Sequence, residues 1–157
     1  MAMVCADCGC LVDAGVRLST CDGPDCCCAA LPVREVLETM AAQIRTAFEA
    51  RDMTMFGALL AEGARWGDDG APNRCRSRAE VVATLQRLID AGVSGEVLDL
   101  KTGPAGVLCH LRAHWPGHPG LTGRDELFHL YRARDGEIIE IEPYDEREAA
   151  EAALSVI

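Results

Sequence analysis

Lysine occurs once in this chain, at Lys101, and the other basic side chains are arginines scattered without forming a block. Acidic residues outnumber basic ones 25 to 15, a formal net charge of −10, so no basic tract is available to neutralise phosphates. This argues against nucleic acid and against an anionic membrane as partners. Long apolar runs are missing too: no stretch approaches the roughly 20 residues that a membrane-spanning helix needs. The N-terminus carries neither a basic segment nor the apolar run of about 7–15 residues that marks a secretory leader. The expected location is therefore cytoplasmic, where a reducing milieu lets few disulfides persist. Aromatic residues make up only 4% of the chain, which makes its two tryptophans informative. The preference for Arg over Lys, with abundant Ala, Gly and Val, suggests a bacterial, GC-rich genome.

Cysteine is plentiful but unevenly placed. Seven of the nine lie in "CADCGCLVDAGVRLSTCDGPDCCC", from Cys5 to Cys28. A domain of 157 residues can bury roughly 70% of its unfolded surface and needs no staples to fold. The cluster is accordingly an added device. Cys5-Ala-Asp-Cys8-Gly9 places two thiolates three residues apart, able to grip one ion, with a glycine that lets backbone N–H groups turn towards sulfur. Cys21 and one of Cys26, Cys27 and Cys28 would complete a tetrahedral, structural zinc site; the candidate set is Cys5, Cys8, Cys21 and Cys26. The segment resembles a small zinc ribbon, except that four residues separate Cys21 from Cys26. Dense spacings such as Cys26-Cys27-Cys28 also suit a thiolate cluster for copper(I) or several zinc ions. A thiol-rich tail without metal is the third possibility. No organic cofactor is implied.

Composition changes at Leu31–Pro32, dividing the chain into a Cys-rich extension over 1–31 and a main domain over 32–157. In "PVREVLETMAAQIRTAFEARD", Val33, Val36, Leu37, Met40, Ile44, Ala47 and Phe48 recur at helical spacing. Asp52 is placed to cap a second, short helix, and Ser77 with Glu80 forms a capping box for a third. From residue 95 the period falls to two, giving strands "EVLDLK", "GVLCHLRAHW", "RDELFHLYRAR" and "EIIEIEPY". Asp135-Gly136 makes a tight hairpin between the last two, and Asp145 is the expected cap of a final helix. Helices followed by a meander predict an α+β fold: a cone of three N-terminal helices packed on a curved, mainly antiparallel sheet.

The element order, together with "AFEARDMTMFGALLAEGARW", "RAEVVATL" and "ELFHLYRARDGEIIEIEPYDEREAAEAAL", resembles the SnoaL-like branch of the nuclear transport factor 2-like superfamily over residues 33–154. That resemblance implies a cone with an apolar cavity and, often, a homodimer formed through the sheet face. It is compatible with many activities, because this fold hosts isomerases, cyclases, hydrolases and proteins without known activity. The superfamily's epoxide hydrolases carry Arg-x-Asp on the central strand and an Asp before the closing Tyr. Here those places read Arg112-Ala113-His114 and Pro143-Tyr144, without either aspartate.

Counting back from a two-residue turn pairs Leu130 with Ile141, Phe128 with Pro143, Tyr131 with Glu140 and His129 with Glu142. This register segregates apolar from ionic residues and predicts an outer, helix-free face bearing His110, Arg112, His114, His129, Glu140 and Glu142. Trp66, Trp115 and Phe128 are the expected pocket residues, though aromatic core packing explains them equally well. A general base for a cyclase or isomerase would have to be Asp68, Asp69 or His114. Each also has a plain role in a turn or on the surface. The leading expectation is binding of a small apolar molecule; a cyclase or isomerase acting on an apolar or polyketide-like substrate, and a metal-responsive or interaction module, are the alternatives.

Overall fold

The computed structural model describes residues 3–6, 8–13, 16–17, 34–67, 70, 74–116 and 126–156. Near the N-terminus, strands β1 (Met3–Val4), β2 (Leu11–Asp13) and β3 (Val16–Arg17) form a small antiparallel sheet in the order β1-β2-β3. The main body begins with α1 (Arg34–Ala50), which buries Leu37, Met40, Ala41, Ile44 and Ala47 along one stripe. Val36, expected on that stripe, is 41% exposed instead.

The end of α1 is closed by two backbone bonds, Arg51 N–H to Phe48 O at 3.2 Å and Asp52 N–H to Ala47 O at 2.9 Å. This cap requires left-handed backbone, and Arg51 adopts it with φ 53°. Glycine is the usual occupant; a residue with a Cβ costs about 1–2 kcal/mol there. Asp52 then caps α2 (Met53–Gly57), its side chain accepting from Met55 N–H at 3.0 Å. Strand β4 (Leu60–Trp66) follows. Helix α3 (Arg78–Asp90) starts at Ser77, whose hydroxyl accepts from Glu80 N–H at 3.2 Å, while the Glu80 carboxylate reaches back to Arg76 N–H at 2.6 Å. Gly92, at φ 86°, ends it.

Strands β5 (Ser94–Gly103), β6 (Gly106–His114), β7 (Glu126–Arg134) and β8 (Glu137–Tyr144) form the meander, and α4 (Arg147–Leu154) closes the chain. The five-stranded sheet runs β4-β8-β7-β6-β5; β4 lies parallel to β8 and every other pair is antiparallel. The result is a mixed α+β fold with helices on a curved sheet. Asp135 and Gly136, at φ 53° and 80°, make the tight β7–β8 turn that their sequence predicts. Gly106, at φ 148°, has no room for a side chain, since a Cβ would lie 2.0 Å from Tyr131 O.

Three expectations are corrected. First, the hairpin pairing changes by one residue beyond the turn: Arg134 pairs with Glu137 and Ala133 with Ile138, but Arg132 pairs with Glu140 and Tyr131 with Ile141. Ile139 is the extra residue of a β-bulge, and everything beyond a bulge reverses its facing relative to regular pairing. His129 and Tyr131 therefore share the inner face with Ile141, while Phe128 and Leu130 turn outward. Second, the outer face is not free of helix. Ala150 and Leu154 of α4 pack there in a second core with Ala105, Leu108, Phe128 and Leu130. With both faces covered, polar alternation along β7 no longer identifies the inside. Third, Glu146 rather than Asp145 occupies the N-cap of α4.

Candidate functional site

Between the inner sheet face and α1–α3 lies a cavity of about 140 Å³. Its wall is almost wholly apolar: Met53, Leu85, Leu88, Ile89, Leu111 and Ile141 are typical contributors. The partial exposure of Leu85, Leu88 and Ile89 on α3 follows from this, because they border empty space rather than packed core. Five of the seven aromatic residues, Phe48, Phe56, Trp66, Trp115 and Tyr131, line it. Edge-to-face contacts link them: Phe48 to Phe56 at 5.3 Å, Phe56 to Tyr131 at 5.8 Å, and Trp66 to His129 at 5.8 Å between ring centroids. Arg51 and Gly95, the exposed members of the wall, mark its mouth.

Besides Arg51, Ser94 and the indoles, two polar side chains stand in this apolar wall, brought together by their i, i+2 spacing on β7. His129 pairs with Cys109 on β6 and Pro143 on β8, and its ring stands 6.1 Å from that of Tyr131. Protein surrounds the imidazole, and the partial accessibility it keeps is that of a ring facing the hollow. Burial penalises the imidazolium and lowers the His129 pKa to about 4, so the ring is neutral at pH 7. Tyr131 is 1% exposed, and burial drives its phenol pKa well above 10, keeping it protonated. Its hydroxyl has no hydrogen-bond partner among the described residues. Such a group is costly to leave unsatisfied. Nearby Cys109 is fully buried with its pKa raised to about 12, so its thiol stays protonated and unreactive.

The structure places Trp66 and Trp115 in the cavity wall. Phe128, expected beside them, lies on the opposite face, stacked on His110 at 4.5 Å with Arg147 5.3 Å above its ring. His114 is exposed on the outer face and does not border the cavity; Asp68 and Asp69 lie outside the described residues. The outer ladder keeps His110, Arg112 and Glu142 but loses His129. His110 Nε2 is 3.0 Å from Glu126 and its Nδ1 3.2 Å from Arg147. The Glu126 hydrogen bond to His110 holds that carboxyl below its usual range. Arg132 Nε donates to Glu142 at 2.5 Å, and Tyr144 OH to the other Glu142 oxygen at 2.8 Å. These groups are fully engaged with one another, the pattern of a structural surface network. Arg112 also belongs to it, 3.5 Å from Glu126.

Reading the sequence did not single out His129, Tyr131, Phe48 or Phe56 as site residues. One signal was present: Leu127, His129 and Tyr131 form as credible an inward row as Phe128 and Leu130. Only the strand register chooses between them.

At the N-terminal hairpin, Cys5 and Cys10 flank the tip. Gly9 N–H donates to Cys5 O at 2.9 Å and Cys5 N–H to Cys10 O at 2.8 Å, with Gly9 at φ 74°. A tight turn carrying Cys5 and Cys8 suits a two-thiolate half-site. Among the described residues, no group of three or more His, Cys, Asp or Glu side chains gathers as a metal site. Cys21, Cys26, Cys27 and Cys28 lie outside the described residues.

A mixed sheet covered by helices and holding a mostly apolar hollow defines a class of small α+β pocket proteins. Comparison narrows the class to a family: the SnoaL-like domain model matches residues 41–141, and the chain belongs to that family. A protein described as a candidate ketosteroid isomerase, from Kribbella flavida, shares 17% identity over 69% of this chain and 76% of its own, with a TM-score of 0.56. A candidate polyketide cyclase from Xanthomonas campestris shares 20% identity over 77% of this chain and 98% of its own, TM-score 0.55. An epoxide hydrolase from M. tuberculosis shares 16% identity over 76% of this chain and 84% of its own, TM-score 0.51. At these identities the likeness is one of fold. No functionally curated protein matches the chain. No helix among the described residues is long and apolar enough to cross a membrane.

Proposed function

We propose that the main domain binds a small, largely apolar molecule carrying an oxygen function, held in the cavity beneath the sheet. The observation that carries this reading is the buried Tyr131 hydroxyl, without a hydrogen-bond partner among the described residues, on a side chain that lines an apolar hollow beside a neutral imidazole. Tyr131 would donate to the ligand oxygen, and the aromatic wall would enclose its hydrocarbon body. Intrinsic fluorescence tests the reading directly, because both tryptophans of the chain border the cavity. Titration with benzyl alcohol or cyclohexanone should perturb the emission saturably. An unchanged spectrum at every concentration refutes the reading.

A second reading, enzymatic, is favoured by His129. Its neutral ring could take a proton from carbon next to a carbonyl while Tyr131 stabilises the developing enolate, the step an isomerase or cyclase needs. The magnitude ranks it second. A base whose conjugate acid has a pKa of about 4 lies well below neutrality, and general bases work best when matched to the working pH. Exchange of the α-protons of cyclohexanone in D2O, followed by NMR, decides: acceleration removed by His129→Gln supports catalysis, and no acceleration leaves binding alone.

The N-terminal hairpin adds a separate element, one structural zinc ion gripped by Cys5 and Cys8, with Cys21 and Cys26 as the expected second pair. Support comes from the turn geometry at Gly9 and from the cysteine spacing. With four thiolates such a site has no open position, so the ion would stabilise the extension rather than react. Metal content per chain by mass spectrometry tests it: one zinc supports the site, several copper or zinc ions favour a thiolate cluster, and none refutes it.

A further inference from the structure

The mouth of the cavity carries a charge that its interior lacks. Among the described residues of the wall, Arg51 is the only permanently ionised one; Ser94, His129 and Tyr131 are the other polar contributors apart from the indoles. Arg51 is exposed, and its side chain makes no hydrogen bond or ion pair among the described residues. It shares this with Arg76 and Arg134 among the described residues, but of the three only Arg51 borders the cavity. Arg45, Arg65, Arg112, Arg132 and Arg147 each lie within 4 Å of a glutamate. The adjacent Asp52 makes no ion pair with it within 4 Å; one of its carboxylate oxygens accepts from Met55 N–H at 3.0 Å. Moreover, Arg51 occupies left-handed backbone, φ 53°, where glycine would sit without strain. A strained position that holds a long cationic side chain at the rim of a hollow points to a use for that side chain.

Size narrows the ligand further. An engineered apolar cavity of about 150 Å³ takes one benzene ring, and this one measures about 140 Å³. From these observations, and resting on the binding role given above, we propose that the ligand is a monocarboxylate whose single-ring or short-chain apolar body carries the oxygen function assigned to Tyr131. The body fills the aromatic hollow, and the carboxylate sits at the mouth, paired with the Arg51 guanidinium and within range of the Ser94 hydroxyl. A guanidinium–carboxylate pair offers two parallel hydrogen bonds, which a neutral amide of the same shape cannot match.

Arg51 also supplies positive charge at the end of α1, whose last turn has no basic residue. That role concerns stability and would not discriminate between ligands. The test therefore compares phenylacetate with 2-phenylacetamide, equal in size, by tryptophan fluorescence at pH 7. Phenylacetate is expected to bind roughly two- to five-fold tighter, the range that an exposed ion pair allows. In Arg51→Gln and in Arg51→Gly the two probes should bind alike, at the affinity of the amide; Arg51→Gly, which relieves the backbone, keeps the test valid if the glutamine variant folds poorly. Equal binding by the parent protein, tighter binding of the amide, or an acid preference that survives both substitutions overturns the proposal while leaving the cavity reading intact. Absence of binding by either probe overturns both.

Discussion

Protonating His129 should loosen the fold by an amount that can be worked out. Its pKa falls from 6.5 in the exposed state to about 4 in the folded protein because burial disfavours the imidazolium. Between these values the unfolded chain holds more protons than the folded one, so stability falls as pH falls. The contribution is fully present above pH 6.5, declines through the interval, and is lost below about pH 4. At roughly 1.4 kcal/mol per pKa unit the whole interval is worth about 3 kcal/mol. Water entering the cavity beside the charged ring would reduce that figure. Other groups titrate over the same range, so the measurement is a double difference: urea midpoints for the parent and His129→Gln at pH 7 and pH 4.5. Glutamine keeps a polar group of similar reach and carries no charge at either pH. The parent should lose about 2–3 kcal/mol more than the variant, a relative midpoint shift of about 1–2 M for ordinary urea slopes. The imidazole Cε1 proton, followed by NMR, should titrate near 4 in the parent. Parallel pH dependence of the two proteins, or titration of that proton near 6.5, would show that His129 is solvated and that the inward placement is wrong.

Four further outcomes are expected. Tyr131→Phe, which removes a buried hydroxyl lacking a partner among the described residues, should leave stability unchanged or raise it by about 1 kcal/mol in urea titration, while weakening cyclohexanone binding in the fluorescence assay. Gly106→Ala drives a Cβ to 2.0 Å from Tyr131 O and should cost about 3 kcal/mol or more, seen as a large drop in melting temperature; a melting curve like the parent's would contradict the close approach of β6 to β7. Asp52→Ala removes the Met55 cap and should cost about 1 kcal/mol by chemical denaturation. Cys5→Ser with Cys8→Ser should abolish the zinc measured by mass spectrometry, and unchanged stoichiometry would sink that ligand assignment.

Much of the fold was legible because its signals are local. Asp52 and Ser77 cap their helices through bonds spanning three residues, and Asp135-Gly136 sets a turn by backbone preference alone. The stripe on α1 from Leu37 to Ala47 needs only helical periodicity. The inside of β7 was not legible, for a reason that is not local. "ELFHLYRAR" offers a plausible apolar row in either phase, and α4, arriving from later in the chain, covers the outer row. Burial of Phe128 and Leu130 thus carries no information about where the hollow lies. Nor does sequence alternation announce a bulge at Ile139, which is a compromise among β7, β8 and the turn between them. Trp66 and Trp115 could be named because tryptophan is rare here. His129 and Tyr131, neighbours on one strand face, could be found only through the register.

The extra residue at Ile139 has an electrostatic consequence. In an unbroken two-residue hairpin, bringing His129 and Tyr131 inward would bring Glu142 and Glu140 in opposite them, setting a carboxylate beside an imidazole as an acid–base couple. Looping out one residue sends those carboxylates to the far side, where Glu140 meets Arg65 at 3.2 Å and Glu142 meets Arg132 and Tyr144, and leaves Ile141 in the wall. The hollow owes its neutrality to the parity of a strand rather than to a lack of acids, so in a chain of this composition one residue of slippage would change the chemistry on offer without altering a single side chain.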